Sequence, residues 1–203
     1  MFRPKRLIAL LSHPFIEQTK GAIKGQVIRL KSPKRYKELK KMRPSRLTLV
    51  RQKRKIVAQI KQTLHANNIR PISVFGRVKT MGSLDRKERY ARLTHPERIQ
   101  EYLYEDLIGI TVVLKDKANC YATLQAIKKL GSFPTITGRN NPRDYFKNPG
   151  TSRGTTSPLI NVITGNLLLQ NKSESIHIML FTPDSYIETK QDRRGYLQEV
   201  QKK

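Results

Sequence analysis

The chain has 203 residues, which is enough for one domain with an extension or for two small domains. It carries 41 lysines and arginines against 15 acidic residues, so its formal net charge is +26 and a polyanion is the expected partner. Its single cysteine excludes an intrachain disulfide framework and a cysteine-rich zinc site, and no apolar run could span a bilayer. We therefore expect a cytoplasmic protein whose partner is nucleic acid, with an acidic membrane surface as the second choice.

A basic N-terminal extension is predicted over residues 1–42, ahead of a domain over residues 43–203. Residues 1–55 contain 18 lysines and arginines but only two acidic residues, a composition typical of nucleic-acid-binding arms. Residues 34–42 have the pattern of a short basic helix that ends before Pro44. The residues expected to contact nucleic acid are Lys34, Arg35, Lys37, Lys40, Lys41 and Arg43.

Amphipathic spacing predicts a helix over residues 45–66, with Ser45 as its N-cap and Asn67-Asn68 at its end. A short alternating strand follows over residues 71–75. Farther along, residues 106–114 form the most apolar strand pattern of the chain and are expected to be central in a sheet. Residues 118–130 predict a helix that Gly131 ends.

Two further strands are predicted over residues 160–164 and 175–182, separated by Gly165-Asn166. The order of elements predicts an α/β or α+β fold, with a mixed sheet of about four or five strands flanked by helices.

The stretch from Val74 to Lys87 concentrates cations where a strand is expected to give way to a helix. Gly76 indicates a bend or a close approach to the backbone, and Gly82 is expected to break the strand. Arg77 and Lys79, two apart on a strand, point to one face. Ser83 is expected to begin the helix that carries Lys87. These groups could converge on a polyphosphate; the alternative is a solvated basic turn.

Four motifs, in the right order, resemble those of the RelA/SpoT nucleotidyltransferase domain. Arg77-x-Lys79-x-x-x-Ser83-x-x-x-Lys87 resembles its ATP-side motif, and Asp106-Leu-Ile-Gly-Ile resembles its D-L-I-G-I-R strand. Residues 119–127 are similar to its D-C-Y-x-x-L-x-x-I helix, and residues 144–149 to its D-Y-I-x-x-P loop. The resemblance spans about residues 50–183 and leaves out the basic extension.

The resemblance implies a nucleotidyltransferase-like fold and a pyrophosphate transfer. ATP would give its β,γ-pyrophosphate to the 3′-hydroxyl of GDP or GTP, which is the synthesis of guanosine tetra- or pentaphosphate. It further implies that Arg77, Lys79 and Lys87 contact the ATP phosphates with help from Ser83. Asp106 would be the catalytic carboxylate and would hold Mg²⁺, so ATP and Mg²⁺ are the implied cofactors.

The acceptor-side motifs depart from the family's pattern. Its G-Y-x-S-L-H loop reads G-T-T-S-P-L at residues 154–159, so Thr155 stands in place of the guanine-stacking tyrosine. Its E-x-Q-x-R-T strand reads H-I-M-L-F-T at residues 177–182, so His177 stands where the second magnesium carboxylate is expected. Thr111 replaces the arginine of the D-L-I-G-I-R strand.

These departures leave three functions open. The first is an enzyme that transfers pyrophosphate from ATP to a nucleotide or to an RNA 3′-hydroxyl. The second is a catalytically inactive module that binds RNA, such as tRNA or ribosomal RNA, and the third is a nucleotide sensor. Tyr145 and Phe146 could stack on a base, or they could pack their loop onto the sheet.

Overall fold

The computed structural model of the chain describes residues 19, 22–94, 96–99, 103, 107–134, 142–147, 150–151, 158–159, 162–170 and 175–189. The helices in these ranges are α1 (residues 22–31), α2 (Pro33–Lys41), α3 (Arg46–Ala66), α4 (Met81–Thr94), α5 (Lys117–Lys128) and α6 (residues 183–189), with a 3-10 turn at Pro96–Arg98. The strands are β1 (Ser73–Val78), β2 (Ile108–Val113), β3 (Gly131–Ser132), β4 (Arg143–Asp144), β5 (Gly150–Thr151), β6 (Pro158–Leu159), β7 (Val162–Leu169) and β8 (Ser175–Phe181).

The main sheet is mixed, with the strand order β1-β2-β8-β7-β3, and β4 also pairs with β7. β2 and β8 run parallel, whereas β1 with β2 and β7 with β8 are antiparallel. Every residue of β2 is buried, as predicted for the most apolar strand, and it lies between β1 and β8. The predicted mixed sheet flanked by helices is therefore confirmed. No helix in the described part of the chain is long and apolar enough to cross a membrane.

The main core lies between the sheet and helices α3 and α5. Ile56 and Ile60 of α3 and Ile127 of α5 pack in one buried cluster with Ile110 of β2 and Ile178 of β8. Burying each such side chain stabilises the fold by about 1.5–3 kcal/mol. We call the sheet surface against this core the back face and the opposite surface the front face.

α3 follows its sequence signals closely. The Ser45 hydroxyl accepts a hydrogen bond from the Thr48 amide at 3.1 Å, which makes it the predicted N-cap. Asn67 caps the other end, and Asn68 takes a left-handed conformation with a φ of 56°, which asparagine tolerates well. The apolar stripe of α3 packs against β1 and β2 in the main core.

Three sequence predictions about element boundaries are wrong. β1 does not end at residue 75 but continues through Gly76 to Val78. The close approach expected at Gly76 is present, because an added methyl group would lie 2.7 Å from Lys53 Cγ of α3. Gly82 lies inside α4, which begins at Met81, and Thr80 Oγ1 accepts the Ser83 amide at 3.3 Å. The cap is thus Thr80 rather than Ser83. β7 runs unbroken through Gly165-Asn166, because both residues pair with β8.

Candidate functional site

The front face of the sheet changes from apolar to polar along its strands. At one end Val113, Val162 and Phe181 form a second buried cluster with Tyr186 of α6. Two residues farther along the strands, Thr111, Met179, Thr164 and Arg143 stand in register beside Phe75. Another two residues on, Arg77, Gly109, His177 and Asn166 stand side by side across β1, β2, β8 and β7. We call these last four residues the polar row.

Arg77 reaches along the polar row because its neighbour has no side chain. A methyl group added to Gly109 would lie 3.1 Å from Arg77 Nε and 3.3 Å from Arg77 Cγ. The arginine side chain therefore lies across β2, where any larger residue would displace it. Neighbouring strands are about 4.8 Å apart, so the backbones of Arg77 and His177 are separated by about 10 Å.

His177 occupies the centre of the polar row. Its Nε2 atom lies 2.8 Å from Thr164 Oγ1, a hydrogen-bond distance at which either group could donate. Neither Thr164 nor the facing Asn166 carries a charge. The paired front-face residues that the structure describes on β1, β2, β7, β8 and β4 include arginines but no carboxylate.

The remaining ATP-motif residues follow the end of β1. The Lys79 amide donates to the Leu107 carbonyl at 2.8 Å, which continues the pairing of β1 with β2. Ser83 lies in the first turn of α4, where its hydroxyl bonds that of Thr80 at 3.1 Å. Lys87 is half-buried one turn later on the same helix. Arg77 at the end of the strand and Ser83 at the start of the helix thus flank one short junction.

Helix α2 is held against α4 by a partly buried cluster of charges. Arg35 donates to Asp85 Oδ1 at 3.0 Å and also forms an ion pair with Glu88, whose side chain is 0% exposed. Arg92 pairs with the same glutamate from the next turn of α4. Burial alone would raise the pKa of Glu88, but the bonds from Arg35 and Arg92 outweigh it and hold that pKa below its ordinary value.

The chain just before α3 also contacts the ATP motif directly. Arg43 Nη1 donates to the Lys79 carbonyl at 2.8 Å, and burial lowers the pKa of Arg43. On α1, a methyl group added to the buried Gly25 would lie 3.2 Å from Met81 Cβ at the start of α4. Both contacts fix the backbone on which the motif residues stand.

The cations predicted to bind nucleic acid fall into two groups. Lys34, Lys37, Lys40 and Lys41 are exposed on α2. Arg35 and Arg43 instead make the intramolecular bonds to α4 and to Lys79. Within the predicted set, the four lysines are therefore the residues whose side chains are accessible to a partner. The assignment of residues 1–42 as a separate extension stays a prediction.

The two aromatic residues predicted to stack on a base lie on opposite sides of the sheet. Tyr145 packs on the front-face cluster, and Arg143 Nη1 donates to its hydroxyl at 3.3 Å. Phe146 packs on the back-face core, with its ring centroid 6.2 Å from that of Tyr121 on α5. Only Tyr145 therefore shares a face with Arg77, and Phe146 packs its loop onto α5.

The magnesium site that the motifs imply is not assembled by the described residues. Among them, no group of three or more His, Cys, Asp or Glu residues could hold a metal ion. Asp106, the predicted catalytic and metal-binding carboxylate, lies outside the described residues, as do residues 152–157 of the acceptor loop. The described side chains around His177 include no carboxylate. They therefore do not fit a hard divalent cation, which prefers anionic oxygen ligands.

Two features of this site, Gly109 beside Arg77 and the bonds from Arg35 to α4, could not be predicted from the spacing of the motifs. Gly109 matters because Arg77 crosses it, and only the strand register places the two side by side. The bonds from Arg35 to Asp85 and Glu88 join residues about fifty positions apart in sequence. The alternation of apolar and polar residues on β8 indicates that His177 lies on the polar face of its strand, but it does not place His177 beside Thr164.

Comparison with solved structures shows which known proteins share this fold. Neither a protein-family model nor a curated protein sequence matches the chain. Small alarmone synthetase 1 from Bacillus subtilis matches it in structure with a TM-score of 0.54 at 14% identity, covering 76% of this chain and 77% of that one. Small alarmone synthetase 2 from the same organism matches with a TM-score of 0.50 at 14% identity, covering 81% of both chains. The chain has the fold of these RelA/SpoT-type alarmone synthetases, as its motifs predict.

Proposed function

We propose that the chain binds ATP at the junction of β1 and α4 and transfers its pyrophosphate to a second nucleotide. The observation that carries the proposal is the placement of Arg77, Lys79, Ser83 and Lys87 around one strand–helix junction within an alarmone synthetase fold. Cations at a strand end, beside the positive end of a helix, are suited to a chain of phosphates. A cytoplasmic location fits nucleotide substrates of this kind.

The protein's own residues would bind and orient the donor. Arg77, held across Gly109, would present its guanidinium to the phosphates, and Lys79 and Lys87 would add positive charge from the end of β1 and the second turn of α4. In the transfer, the 3′-hydroxyl oxygen of the acceptor bonds the β-phosphorus of ATP, the bond from that phosphorus to the α–β bridging oxygen breaks, and AMP leaves. The hydroxyl proton passes to solvent.

Calorimetry and a transfer assay together test the proposal. The full chain is titrated with ATP and then incubated with γ-labelled ATP and GDP, GTP or tRNA. We expect label to move onto GDP or GTP, and Arg77→Ala to weaken ATP binding by about 10- to 100-fold, which is the loss of a charged hydrogen bond. Arg54→Ala, an exposed arginine on α3, is the matched control and should bind as the wild type does. Folded protein that binds no ATP would overturn the proposal.

A second candidate function is RNA binding without transfer. His177 favours it, since an imidazole bonded to Thr164 takes the position where the family's second carboxylate is expected. The exposed lysines of α2 support it as well, within a chain of net charge +26. The labelled assay separates the two functions. ATP binding with no transfer to any acceptor, together with salt-sensitive binding of tRNA, would favour the second.

A further inference from the structure

The polar row of the front face combines the guanidinium of Arg77 with the hydrogen-bonding side chains of His177 and Asn166 and contains no carboxylate. Arg77, Gly109, His177 and Asn166 stand in register, and Thr164 bonds His177 at 2.8 Å. Arg143, on the same face at the outer strand, is exposed and adds a second guanidinium. The side chains described on this surface offer donors for phosphate oxygens, and none of them offers an anionic oxygen for a divalent cation.

Charge decides which form of a polyphosphate this surface prefers. Free ATP carries close to four negative charges at neutral pH, whereas a bound Mg²⁺ cancels two of them. A face whose described charges are all positive attracts the more negative form more strongly. A carboxylate on the face would reverse this preference, because it repels free phosphate and ligates the metal.

We propose that the polar row makes the proposed ATP site selective for metal-free polyphosphate, so that Arg77 and its neighbours in the row take the place of magnesium in holding the phosphates of a nucleotide. The proposal rests on the proposed ATP binding at the same site and states which form of the nucleotide binds. His177, paired with Thr164, keeps the centre of the row free of negative charge. Gly109 allows the Arg77 guanidinium to extend toward that centre.

The test is calorimetry of the full chain with ATP in EDTA and with ATP in excess Mg²⁺, at matched ionic strength. We expect binding about tenfold tighter in EDTA. Binding that requires Mg²⁺, or that is tighter with it, overturns the inference and leaves the proposed function standing. Absence of binding in both buffers overturns the proposed function instead. Because both titrations use the wild-type chain, the result does not depend on whether a variant folds.

Two substitutions at one position show whether His177 sets the preference. His177→Glu places a carboxylate in the polar row and should weaken binding of free ATP by at least tenfold while sparing or improving binding of MgATP. His177→Gln, the matched control, keeps a neutral hydrogen-bonding group and should retain the preference for free ATP. Circular dichroism establishes that both variants fold. An unchanged preference in the folded glutamate variant would contradict the role of His177.

Discussion

Among single residues, the contact between Gly109 and Arg77 can be tested by one substitution. Gly109→Ala would place a methyl group 3.1 Å from Arg77 Nε, closer than side-chain atoms normally pack. The arginine can move aside, so the fold should persist while the guanidinium leaves its position. We expect ATP affinity to fall about threefold to tenfold, on the order of 1 kcal/mol, by calorimetry. A melting temperature like that of the wild type, with unchanged affinity, would show that the alignment of Arg77 is not needed.

The lone cysteine gives a second prediction at this scale. Cys120 is fully buried on α5, and burial raises the pKa of its thiol to about 12. The thiolate is the reactive form, so iodoacetamide should not alkylate Cys120 in the folded protein at pH 8. In denaturant the same residue should react within minutes, and mass spectrometry counts the adducts. Rapid alkylation of the native protein would place the thiol at the surface and contradict the packing of α5.

At the scale of elements, the contact of α2 with α4 depends on Glu88. Glu88→Gln removes the charge that faces Arg35 and Arg92 while keeping the size of the side chain. Arg35 keeps its bond to Asp85 and Arg92 is partly exposed, so the loss is that of charged hydrogen bonds, and we expect the free energy of unfolding to fall by about 2 kcal/mol. Urea denaturation measures it. Glu188→Gln, at an exposed position on α6, is the control and should change stability by less than about 0.5 kcal/mol.

The same carboxylate predicts how stability depends on pH. The pKa of Glu88 is lower in the folded protein than its ordinary value, so its contribution is complete above the unfolded pKa of about 4.3. It is lost as the pH falls through the lower, folded pKa. The difference in unfolding free energy between wild type and Glu88→Gln should therefore be constant from about pH 7 to pH 5 and narrow below about pH 4. A difference that persists unchanged at pH 3 would point to packing rather than charge.

The elements also show what sequence can and cannot predict here. α3 and β2 were predicted because their signals are local: a cap and an apolar stripe in one, an unbroken apolar run in the other. The boundary at Ser83 was wrong because Thr80 competes for the same cap and stands at the start of the helix. The polar row could not be predicted, since it depends on the register of strands far apart in sequence. Motif resemblance supplied the fold.

At the scale of the whole molecule, the charge is unevenly arranged. Acidic residues of α4, Asp85 and Glu88, are used inside the protein to hold Arg35. The lysines of α2 remain exposed, and Lys34, Lys37 and Lys41 are spaced so that they fall on one side of the helix. One face of α2 therefore binds the protein while another face presents positive charge to solvent. This arrangement predicts that a polyanion contacts the domain at α2.

If RNA contacts the lysines of α2, its binding should depend steeply on salt concentration through those lysines. Replacing Lys34, Lys37, Lys40 and Lys41 with glutamine removes four exposed cations and leaves the bonds of Arg35 and Arg43 intact. Each phosphate contact to single-stranded RNA contributes about 0.7 to the slope of log K against log salt, so the slope should fall by up to about 3. Fluorescence anisotropy with a labelled oligoribonucleotide at several salt concentrations measures it.

The control for this experiment removes the same charge elsewhere on the surface. Lys61, Lys115, Lys128 and Lys129 are exposed and lie on α3, before α5 and at its end. If RNA binds on α2, replacing them with glutamine should lower the affinity only through the general loss of field and should change the slope little. Equal losses of slope in the two variants would mean that RNA responds to the net charge of the molecule and has no site on α2.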